Sequence, residues 1–371
     1  MHAGPKIEVR EATSADNADL VALSVACPME GDVVLAVDRA PDFFALNRLE
    51  GPSWRVGVVD GPQHRPVGCI AVAERDLYRN GVASPAVYVS DLKVHPDHRG
   101  SGMADALTAW ARDAAVAVGG LDTLVFFTVL AGNQSMKVRM AGPRGLPTTR
   151  NVATIRTHTI PLLHPRRQRQ SGLTIATASA ADLDEMVDLW DRWAPSRHFG
   201  SQQAPFRQPA LLNEASNLEV TSFRIARDTD GRLLGYLGAW DQTRFKRLRV
   251  EGYSRRLGAV RSVFNAVTPL VGATPLPKPG EALRNLTVFG VCVDSDDPAV
   301  LRALVIDTYN RSLRQGFSFL NIGLDRKDPL SAVLAGLWAQ PTDVWLATAT
   351  LPGRASVALD PRPCFHEIAL V

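Results

Sequence analysis

The sequence predicts an α/β protein built from two similar domains, each a mixed, largely antiparallel sheet flanked by helices. Its 371 residues exceed what one ordinary hydrophobic core organises, so two domains are expected. Strand patterns of period two alternate with helical patterns along the chain. The same order of patterns then occurs twice, with an offset of roughly 166 residues.

Each half opens with the patterns of a short strand, a capped helix and a two-stranded hairpin. A Ser or Asp at the start of each helix supplies the N-cap, and Asp230 with Gly231 marks a hairpin turn. The predicted segments are 9–20, 54–61 and 66–72 in the first half and 175–186, 223–228 and 233–238 in the second.

The next segments of each half repeat a strand, a loop, a helix and a further strand. The first loop contains glycines, whereas the second is acidic. The predicted strands and helices are 87–94, 103–118 and 123–130 in the first half and 286–293, 299–315 and 318–324 in the second. This alternation of strands and helices predicts a sheet with flanking helices in both halves.

The Pro- and Arg-rich stretch 161–171 separates the two halves and is typical of a domain boundary. We therefore expect an N-terminal domain at 1–165 and a C-terminal domain at 166–371. The basic run in this stretch is interpreted as a solvated linker rather than as a phosphate or RNA contact. Residues 244–279 are expected to form an inserted helix and loop, and 364–371 a final strand.

Composition excludes several classes of function. With 41 basic and 38 acidic residues the formal charge is only +3, so no strong field for nucleic-acid binding is expected. No apolar segment approaches the ~18–20 residues of a membrane span, and the start lacks the apolar stretch of a signal peptide. We expect a cytoplasmic protein that binds neither nucleic acid nor membrane.

The four cysteines show no metal-binding or disulfide pattern. Cys27, Cys69, Cys292 and Cys364 lie far apart and include no CxxC spacing. Neither a zinc site nor a disulfide framework is indicated, so no metal is expected and a reducing compartment fits the sequence.

Residues 95–104 carry the features of an anion-binding loop. Pro96 stops the preceding strand, and Gly100 and Gly102 allow a tight turn in which backbone N–H groups approach a ligand closely. A helix is expected to begin after Gly102, so its unpaired N–H groups and partial positive charge face the same loop. Arg99 adds a full positive charge beside them.

This loop resembles the R/Q-x-x-G-x-G/A motif of the GCN5-related N-acetyltransferase (GNAT) superfamily. The defining positions, and the matching positions of the strand before them, are occupied by Arg99, Gly102 and Ala104 and by Asp91, Leu92 and Val94. The resemblance covers roughly residues 6–160, and the shared layout extends it to a tandem arrangement of two GNAT-like domains.

The resemblance implies acetyl-CoA, or another acyl-CoA, as co-substrate. In this superfamily the loop amides hold the CoA diphosphate, the preceding strand pairs with the pantetheine arm, and an Asn after the next strand contacts that arm. The CoA-binding residues implied here are Leu92, Lys93, Val94, Arg99, Gly100, Ser101, Gly102, Met103, Ala104 and Asn133.

Two other phosphate-binding loops do not fit the same residues. A Walker-type loop would require a Lys followed by Ser or Thr after the glycines, and none is present. A dinucleotide fingerprint would require a third Gly and an acidic residue at the end of the next strand, and both are missing.

The resemblance also implies roles in catalysis. Asp91 is the leading candidate for the base that takes the proton of the acceptor amine; an Asp in a local structural hydrogen bond is the alternative. Met140 stands where the family usually carries a Tyr that protonates the thiolate, and methionine cannot donate a proton. Ser135 or water is then the expected donor, although a CoA thiol is a tolerable leaving group without one.

The second half resembles the same fold with its chemistry removed. Its loop reads Asp294-Ser295-Asp296-Asp297-Pro298, whose charges would repel a diphosphate, and Gly290 stands in place of Asp91. This half is expected to help form the acceptor pocket instead. Residues 39–44 are a candidate acceptor-contact loop. In tandem enzymes of the enhanced intracellular survival type, which this arrangement resembles, the terminal carboxylate, here that of Val371, acts at the active site.

The favoured function is therefore transfer of an acetyl group from acetyl-CoA to the amine of a small-molecule acceptor, by direct attack in a ternary complex. A hydroxyl acceptor or a longer acyl chain is a close variant. A non-catalytic acyl-CoA-binding or regulatory module is the alternative of a different class, and protein lysine acetylation a further option. The sequence indicates neither the acceptor nor the oligomeric state.

Overall fold

The computed structural model describes residues 7–141, 148–168, 172–208, 211–212, 216–334 and 336–371. The strands, in chain order, are β1 (Arg10–Glu11), β2 (Val33–Asp38), β3 (Trp54–Asp60), β4 (Pro66–Arg79), β5 (Val82–Val94), β6 (Leu124–Leu130), β7 (Thr148–Pro161), β8 (Thr174–Thr177), β9 (Phe223–Arg227), β10 (Leu233–Trp240), β11 (Arg247–Tyr253), β12 (Ala282–Leu283), β13 (Asn285–Val293), β14 (Phe319–Asp325) and β15 (Gln340–Thr350). The helices are α1 (Asn17–Ala26), α2 (Ala45–Glu50), α3 (Met103–Gly119), α4 (Gln134–Ala141), α5 (Leu183–Trp193), α6 (Arg255–Val271) and α7 (Pro298–Ser312).

In the described part of the chain, twelve strands form one mixed sheet in the order β1-β3-β4-β5-β6-β15-β7-β14-β13-β10-β9-β8. Most neighbours are antiparallel; β5 with β6 and β13 with β14 are the parallel pairs among them. Helices cover both halves of this sheet. The predicted fold class, a mixed sheet flanked by helices, is confirmed.

The two halves share this sheet, whereas two separate sheets were expected. β15, from the second half, lies between β6 and β7 of the first half, and β7 in turn pairs with β14 of the second. Arg156 on β7 and Asp343 on β15 form two hydrogen bonds, of 2.7 and 2.9 Å. The exchange covers edges of β6 and β14 that would otherwise present unpaired backbone groups. The division at 165/166 stays a prediction.

A small second sheet also joins the halves. Its order is β12-β11-β2, so the inserted region 244–279 contributes β11 as well as the expected helix, α6. β2 ends at Asp38, immediately before Arg39, and β11 begins at Arg247, immediately after Lys246. The small sheet therefore holds Arg39 and Lys246 close to the junction of the halves.

Each half packs its principal helix on one face of the sheet. On α3 the residues Leu107, Ala111 and Ala115 are buried against strands of the first half, because they recur at the spacing of a helical face. A side-chain carbon on Gly57 would lie 2.5 Å from the Trp110 ring, so a glycine at this β3 position lets α3 approach the sheet. α7 covers the second half in the same way through Leu301, Leu304 and Val305.

The predicted final strand at 364–371 is wrong. Cys364 forms a single bridge to His198, and a short 3-10 turn, Ile368–Leu370, follows. The backbone N–H of Cys364 donates to Asp325 Oδ2 at 2.9 Å and that of Phe365 to the carbonyl of His198 at 2.8 Å. These bonds direct the tail, residues 364–371, between the halves, so it does not extend a sheet edge.

Candidate active site

β5 and β6 are paired only over part of their length. Their parallel pairing begins at Ala86 and ends at Val89, which lies opposite Phe127. β5 then continues to Val94 without β6, which pairs with β15 on its other side. The two strands diverge here, and we call the resulting gap the first-half opening.

A β-bulge bends β5 at the start of this opening. Asp91 and Leu92 of β5 lie opposite a single residue of β4, Ile70, and Asp91 adopts a left-handed conformation with φ of 55°. A bulge bends a strand and increases its twist, which turns β5 away from β6. β13 carries the same bulge opposite Leu237, with Gly290 at φ 60°. The predicted equivalence of Asp91 and Gly290 is confirmed.

The anion-binding loop ends at α3 as predicted. Gly100 and Gly102 have φ of 80° and 88°, and Gly102 is the N-cap of α3 without a side chain to bond the first amides. Among the described residues, the backbone N–H groups of Gly100, Ser101 and Gly102 have no hydrogen-bond acceptor. They are therefore available to an anion at the positive end of α3.

The side chains around this loop leave it open. Arg99 is exposed, and its Nε lies 3.5 Å from the carbonyl of Val94. Ser101 Oγ donates to the carbonyl of His98 at 2.6 Å, which fixes the turn. Met103 packs its side chain against the core beneath α3, so its backbone is the part that faces the loop. The structure thus brings the predicted residues 99–104 together at one helix end.

The predicted strand residues lie along the bulged end of β5. Leu92 and Val94 pack against the hydrophobic core under α3. Lys93 forms an ion pair with Asp91 through Nζ, so its side chain is engaged within the protein. Any contact of these residues with a ligand in the opening would involve their backbone.

Asn133 and Ser135 lie at the start of α4. Asn133 Oδ1 accepts a hydrogen bond from the backbone N–H of Met136 at 3.1 Å, which makes Asn133 the cap of this helix. Ser135 is exposed. Met140 is partly buried on the same helix, so the position predicted to lack a proton donor does lie in α4.

Asp91 is surrounded by cations. Arg39 Nη1 and Lys93 Nζ both donate to its carboxylate, and Arg39 is only 1% exposed. Burial alone would raise the pKa of Asp91, but the two positive charges hold it well below its usual range. A carboxylate so stabilised is a weak base, and these contacts favour the alternative interpretation of Asp91 as a structural residue, although its partners are the cations Arg39 and Lys93 and not a local hydrogen-bond donor alone.

Glu50, at the end of α2, was not identified from the sequence. It is 1% exposed, and its Oε2 accepts hydrogen bonds of 3.3 Å from both Asn47 Nδ2 and Ser90 Oγ. Burial raises the pKa of Glu50 to about 7, against the lowering effect of the nearby Arg75. Only the fold brings α2 against Ser90 of β5, so no local motif could have indicated this residue.

Tyr88 and Arg75 complete the polar face of the first-half opening. Tyr88 Oη lies 2.8 Å from Thr128 Oγ1 of β6, and burial raises the pKa of this phenol. The guanidinium carbon of Arg75 lies 5.6 Å from the Tyr88 ring centroid, and its Nε has no hydrogen-bond partner among the described residues. Because side chains alternate along β5, Tyr88 lies on the opposite face from Val87, which packs under α3. The tail also lies on this face, because the His366 ring centroid is 5.7 Å from that of Tyr88.

The tail fills the corresponding opening of the second half. β13 and β14 are paired from Asn285 to Thr287 and then diverge. Glu367 Oε1 accepts a hydrogen bond of 3.1 Å from the backbone N–H of Gly290, and a side chain at Gly323 of β14 would overlap Ile368. The tail thus occupies the opening of the second half.

The loop of the second half is also closed to anions. Asp297 is the N-cap of α7, and its Oδ1 accepts the N–H of Ala299 at 2.8 Å. Asp294 pairs with Arg232, and Asp296 accepts a hydrogen bond of 2.6 Å from Arg197. The predicted lack of an anion site is supported, although two of the acidic side chains are neutralised within the protein.

The end of the tail approaches the cluster around Asp91. Lys246 Nζ donates to the carbonyl of Ala369 at 3.4 Å and to an oxygen of Val371. Burial and the charge of Arg39 lower the pKa of Lys246 to about 8. On the same tail, burial raises the pKa of Glu367 to about 8 and lowers that of His366 to about 3. Several buried ionisable groups thus meet where the halves join.

Residues 39–44, the candidate acceptor-contact loop, contribute mainly buried side chains. Arg39 bonds Asp91 and stacks over Phe43, with its guanidinium carbon 4.1 Å from the ring centroid. Phe43 and Phe44 are buried in the core of the first half. Within the described residues, no three His, Cys, Asp or Glu side chains lie close enough to hold a metal ion. None of the helices described above has the length and apolar character that a bilayer crossing requires.

Comparison with known proteins gives a family match for the part of the chain that contains this site. Residues 28–138 match the sequence model of the acetyltransferase (GNAT) family. This segment contains β5, the bulge, the anion-binding loop and the start of α4. Comparison with curated proteins gave no match.

Several solved structures share the fold over most of the chain. N-myristoyltransferase of Saccharomyces cerevisiae with bound myristoyl-CoA has a TM-score of 0.63 at 12% identity, covering 98% of this chain and 89% of that one. A GCN5-related N-acetyltransferase from Sphaerobacter thermophilus has a TM-score of 0.58 at 16% identity, covering 95% and 98%. A probable N-acyltransferase from Enterococcus faecalis V583 has a TM-score of 0.51 at 12% identity, covering 93% and 73%. At these identities the likeness concerns the fold alone.

Proposed function

We propose that this chain, whose residues 28–138 match the acetyltransferase (GNAT) family, transfers an acetyl group from acetyl-CoA to the amine of a small-molecule acceptor. The proposal rests chiefly on one contrast. The loop before α3 offers free backbone amides beside an open strand pair, whereas the equivalent loop before α7 is capped by Asp297 and its strand pair is filled by the tail. One acyl-CoA per chain is therefore expected.

The CoA diphosphate would bind the amides of residues 99–104 at the positive end of α3, with Arg99 beside it. The pantetheine arm would run along Leu92–Val94, whose backbone the bulge turns away from β6, and would pass Asn133 at the start of α4. The thioester carbonyl would then lie near the bulge. The two halves, which we propose to be copies spanning 1–165 and 166–371, would together enclose the acceptor.

The reaction would be direct aminolysis. The amine nitrogen attacks the thioester carbonyl carbon, a C–N bond forms, the C–S bond breaks, and the nitrogen loses a proton. We assign that proton to Glu50 rather than Asp91, because a carboxyl with a pKa of about 7 accepts a proton near neutrality far better than one held ionised by Arg39 and Lys93. Asp91 would orient Arg39 and Lys93.

The departing CoA thiolate would take its proton from water or from Ser135, whose side chain is exposed at the start of α4. Tyr88 is not assigned this role, because its Oη lies 2.8 Å from Thr128 Oγ1 and is engaged within the protein. The pKa of a CoA thiol, about 8.5, allows the thiolate to leave without a strong acid.

Release of free thiol from acetyl-CoA, measured over a panel of amines, tests the function. Arg99→Ala is expected to weaken CoA binding about tenfold, because it removes one charge-assisted contact worth roughly 1.5 kcal/mol. Arg112→Ala, an exposed arginine on α3, is the matched control and should bind normally. Turnover with a longer acyl-CoA but not with acetyl-CoA would show that the acyl donor is the longer acyl-CoA. Binding without turnover on any acceptor would favour a regulatory module, and absence of CoA binding would refute both.

The assignment of Glu50 predicts a specific pH profile. For the native chain kcat/KM should rise as pH increases through about 7, as Glu50 loses its proton. Glu50→Gln should lower kcat about 10²–10⁴-fold and remove that limb of the profile. Asn47→Ala, which removes a hydrogen bond to Glu50 but keeps the carboxyl, should retain the limb. A Glu50→Gln enzyme with an unchanged profile would exclude Glu50 as the base.

A further inference from the structure

Helix α6 presents an apolar stripe to solvent. Val260, Val263, Val267 and Leu270 are 52%, 69%, 42% and 86% exposed. Their spacing of three, four and three residues is that of the a and d positions over two heptads, so all four lie on one line of the helix. Single exposed apolar side chains are ordinary, but four in one register form a patch that indicates an interaction surface.

The opposite face of α6 carries polar side chains that bind the protein. Arg261 Nε donates to the carbonyl of Pro277 at 2.8 Å, and Asn265 exchanges two hydrogen bonds with Leu276, of 2.9 and 2.8 Å. Thr268 is 1% exposed. A surface helix of a monomer normally turns its apolar face inward. α6 turns Leu257 and Phe264 inward but leaves the stripe in solvent, and its hydrogen bonds hold it in that orientation.

The residues beside the stripe suit a second helix. Ala259 and Ala266 flank it on one side and are exposed, and such small side chains allow two helix backbones to approach closely. An amphipathic helix that lies on a bilayer would instead carry bulky Trp, Phe or Leu on its apolar face and Lys or Arg on a solvated polar face. The polar face of α6 is occupied by the loop at Leu276 and Pro277.

The charges of α6 indicate an antiparallel partner. Arg255 and Arg256 lie in the first turn, where they oppose the positive end of the helix, and the last turn carries no basic residue. If a second α6 packs antiparallel, with Val260 opposite Leu270 and Val263 opposite Val267, these arginines lie beside residues 274 and 275 of the other copy. That position is just beyond the negative end of the other helix, where positive charge is favourable.

We infer that α6 is a dimerisation helix: two copies of this chain pack their α6 stripes antiparallel about a two-fold axis near residue 265. The stripe is self-complementary under this rotation, as an isologous interface requires. Two heptads bury less than the about 1,200 Å² of a standard interface, so the dimer should dissociate in the micromolar range. The partner is a second copy of this chain, and the inference does not depend on the proposed function.

Sedimentation equilibrium of the full chain over about 1–100 µM measures this association. Val263→Glu, at the centre of the stripe, should weaken dimerisation at least tenfold, because it would desolvate two carboxylates in an apolar contact. Val82→Glu is the matched control, since Val82 is also a valine, is 67% exposed and lies on β5. It should dimerise like the native chain.

Cysteine cross-linking tests the arrangement. The double variant Val263→Cys, Val267→Cys should form a disulfide-linked dimer under mild oxidation, whereas Val263→Cys alone should do so poorly, because an antiparallel pair places Val263 opposite Val267. Efficient linkage of the single variant would overturn the antiparallel arrangement. A monomer at all concentrations, a dimer unaffected by Val263→Glu, or vesicle binding that this substitution abolishes would each overturn the proposal.

Discussion

Asp91 and Glu50 are both buried carboxyl groups near the same bulge, but their surroundings move their pKa values in opposite directions. Asp91 receives hydrogen bonds from Arg39 and Lys93, which stabilise its charge. Glu50 receives two long bonds from neutral groups, which compensate little of the cost of burial. The sequence singled out Asp91 because it lies beside a known motif, whereas the physical difference comes from contacts with α2 and with the segment after β2.

The raised pKa of Glu50 has a consequence for stability. Its folded-state pKa of about 7 exceeds the 4.5 of an unperturbed glutamate, so ionising Glu50 opposes folding, and the favourable contribution of the neutral carboxyl is lost as pH rises through about 7. Glu50→Gln should therefore raise the melting temperature at pH 8 but not near pH 4.5, with a difference of the order of 3 kcal/mol at the higher pH. A thermal shift independent of pH would contradict this.

At the scale of elements, the same strand–bulge–loop–helix unit occurs twice. Its loop is uncapped in the first half and capped by Asp297 in the second. The sequence was sufficient to place β5, the loop, α3 and their counterparts, because period-two alternation, glycines and acidic residues are local signals. It was not sufficient to place the tail, β11 or β15. These elements are held by partners far away in sequence, as Cys364 is by Asp325 and Val344 by Leu130, so no local pattern indicates where they lie.

The position of the tail against β14 can be tested by a small substitution. Gly323→Ala should destabilise the fold by about 1–3 kcal/mol, since the added methyl group would overlap Ile368. Gly252→Ala, where no atom lies within 4 Å of the new carbon, is the control and should have little effect. Ile368→Ala combined with Gly323→Ala should cost less than the sum of the two single changes in urea unfolding. Strict additivity would indicate that Ile368 does not occupy this space.

At the scale of the whole molecule, the exchange of β7 and β15 joins two halves that the repeat would suggest are independent. β15 pairs with β7 along its entire length, from Gln340 opposite Thr159 to Thr350 opposite Thr148. Neither half can complete its hydrogen bonding without a strand of the other. The first-half opening is therefore bordered, through β6, by a strand of the second half.

The exchange predicts that the halves fold only together. A fragment of residues 1–168 should be unstable alone, because β6 and β7 would expose the edges that β15 covers. Coexpression with residues 172–371 should restore a soluble complex that binds CoA. Amide proton dispersion in NMR spectra reports folding of the fragment, and a well-folded, CoA-binding fragment of residues 1–168 would refute the prediction.

The place of β15 also bears on the order in which the chain is made. β7 ends at Pro161 and β15 begins at Gln340, so a ribosome must add some 180 residues before the first half receives its missing strand. At about 5–20 residues per second, this takes roughly 10–35 s, during which β6 and β7 have emerged with unpaired edges. We expect the nascent chain to depend on chaperones through this interval, and synthesis speed along 162–340 to govern the yield of native protein.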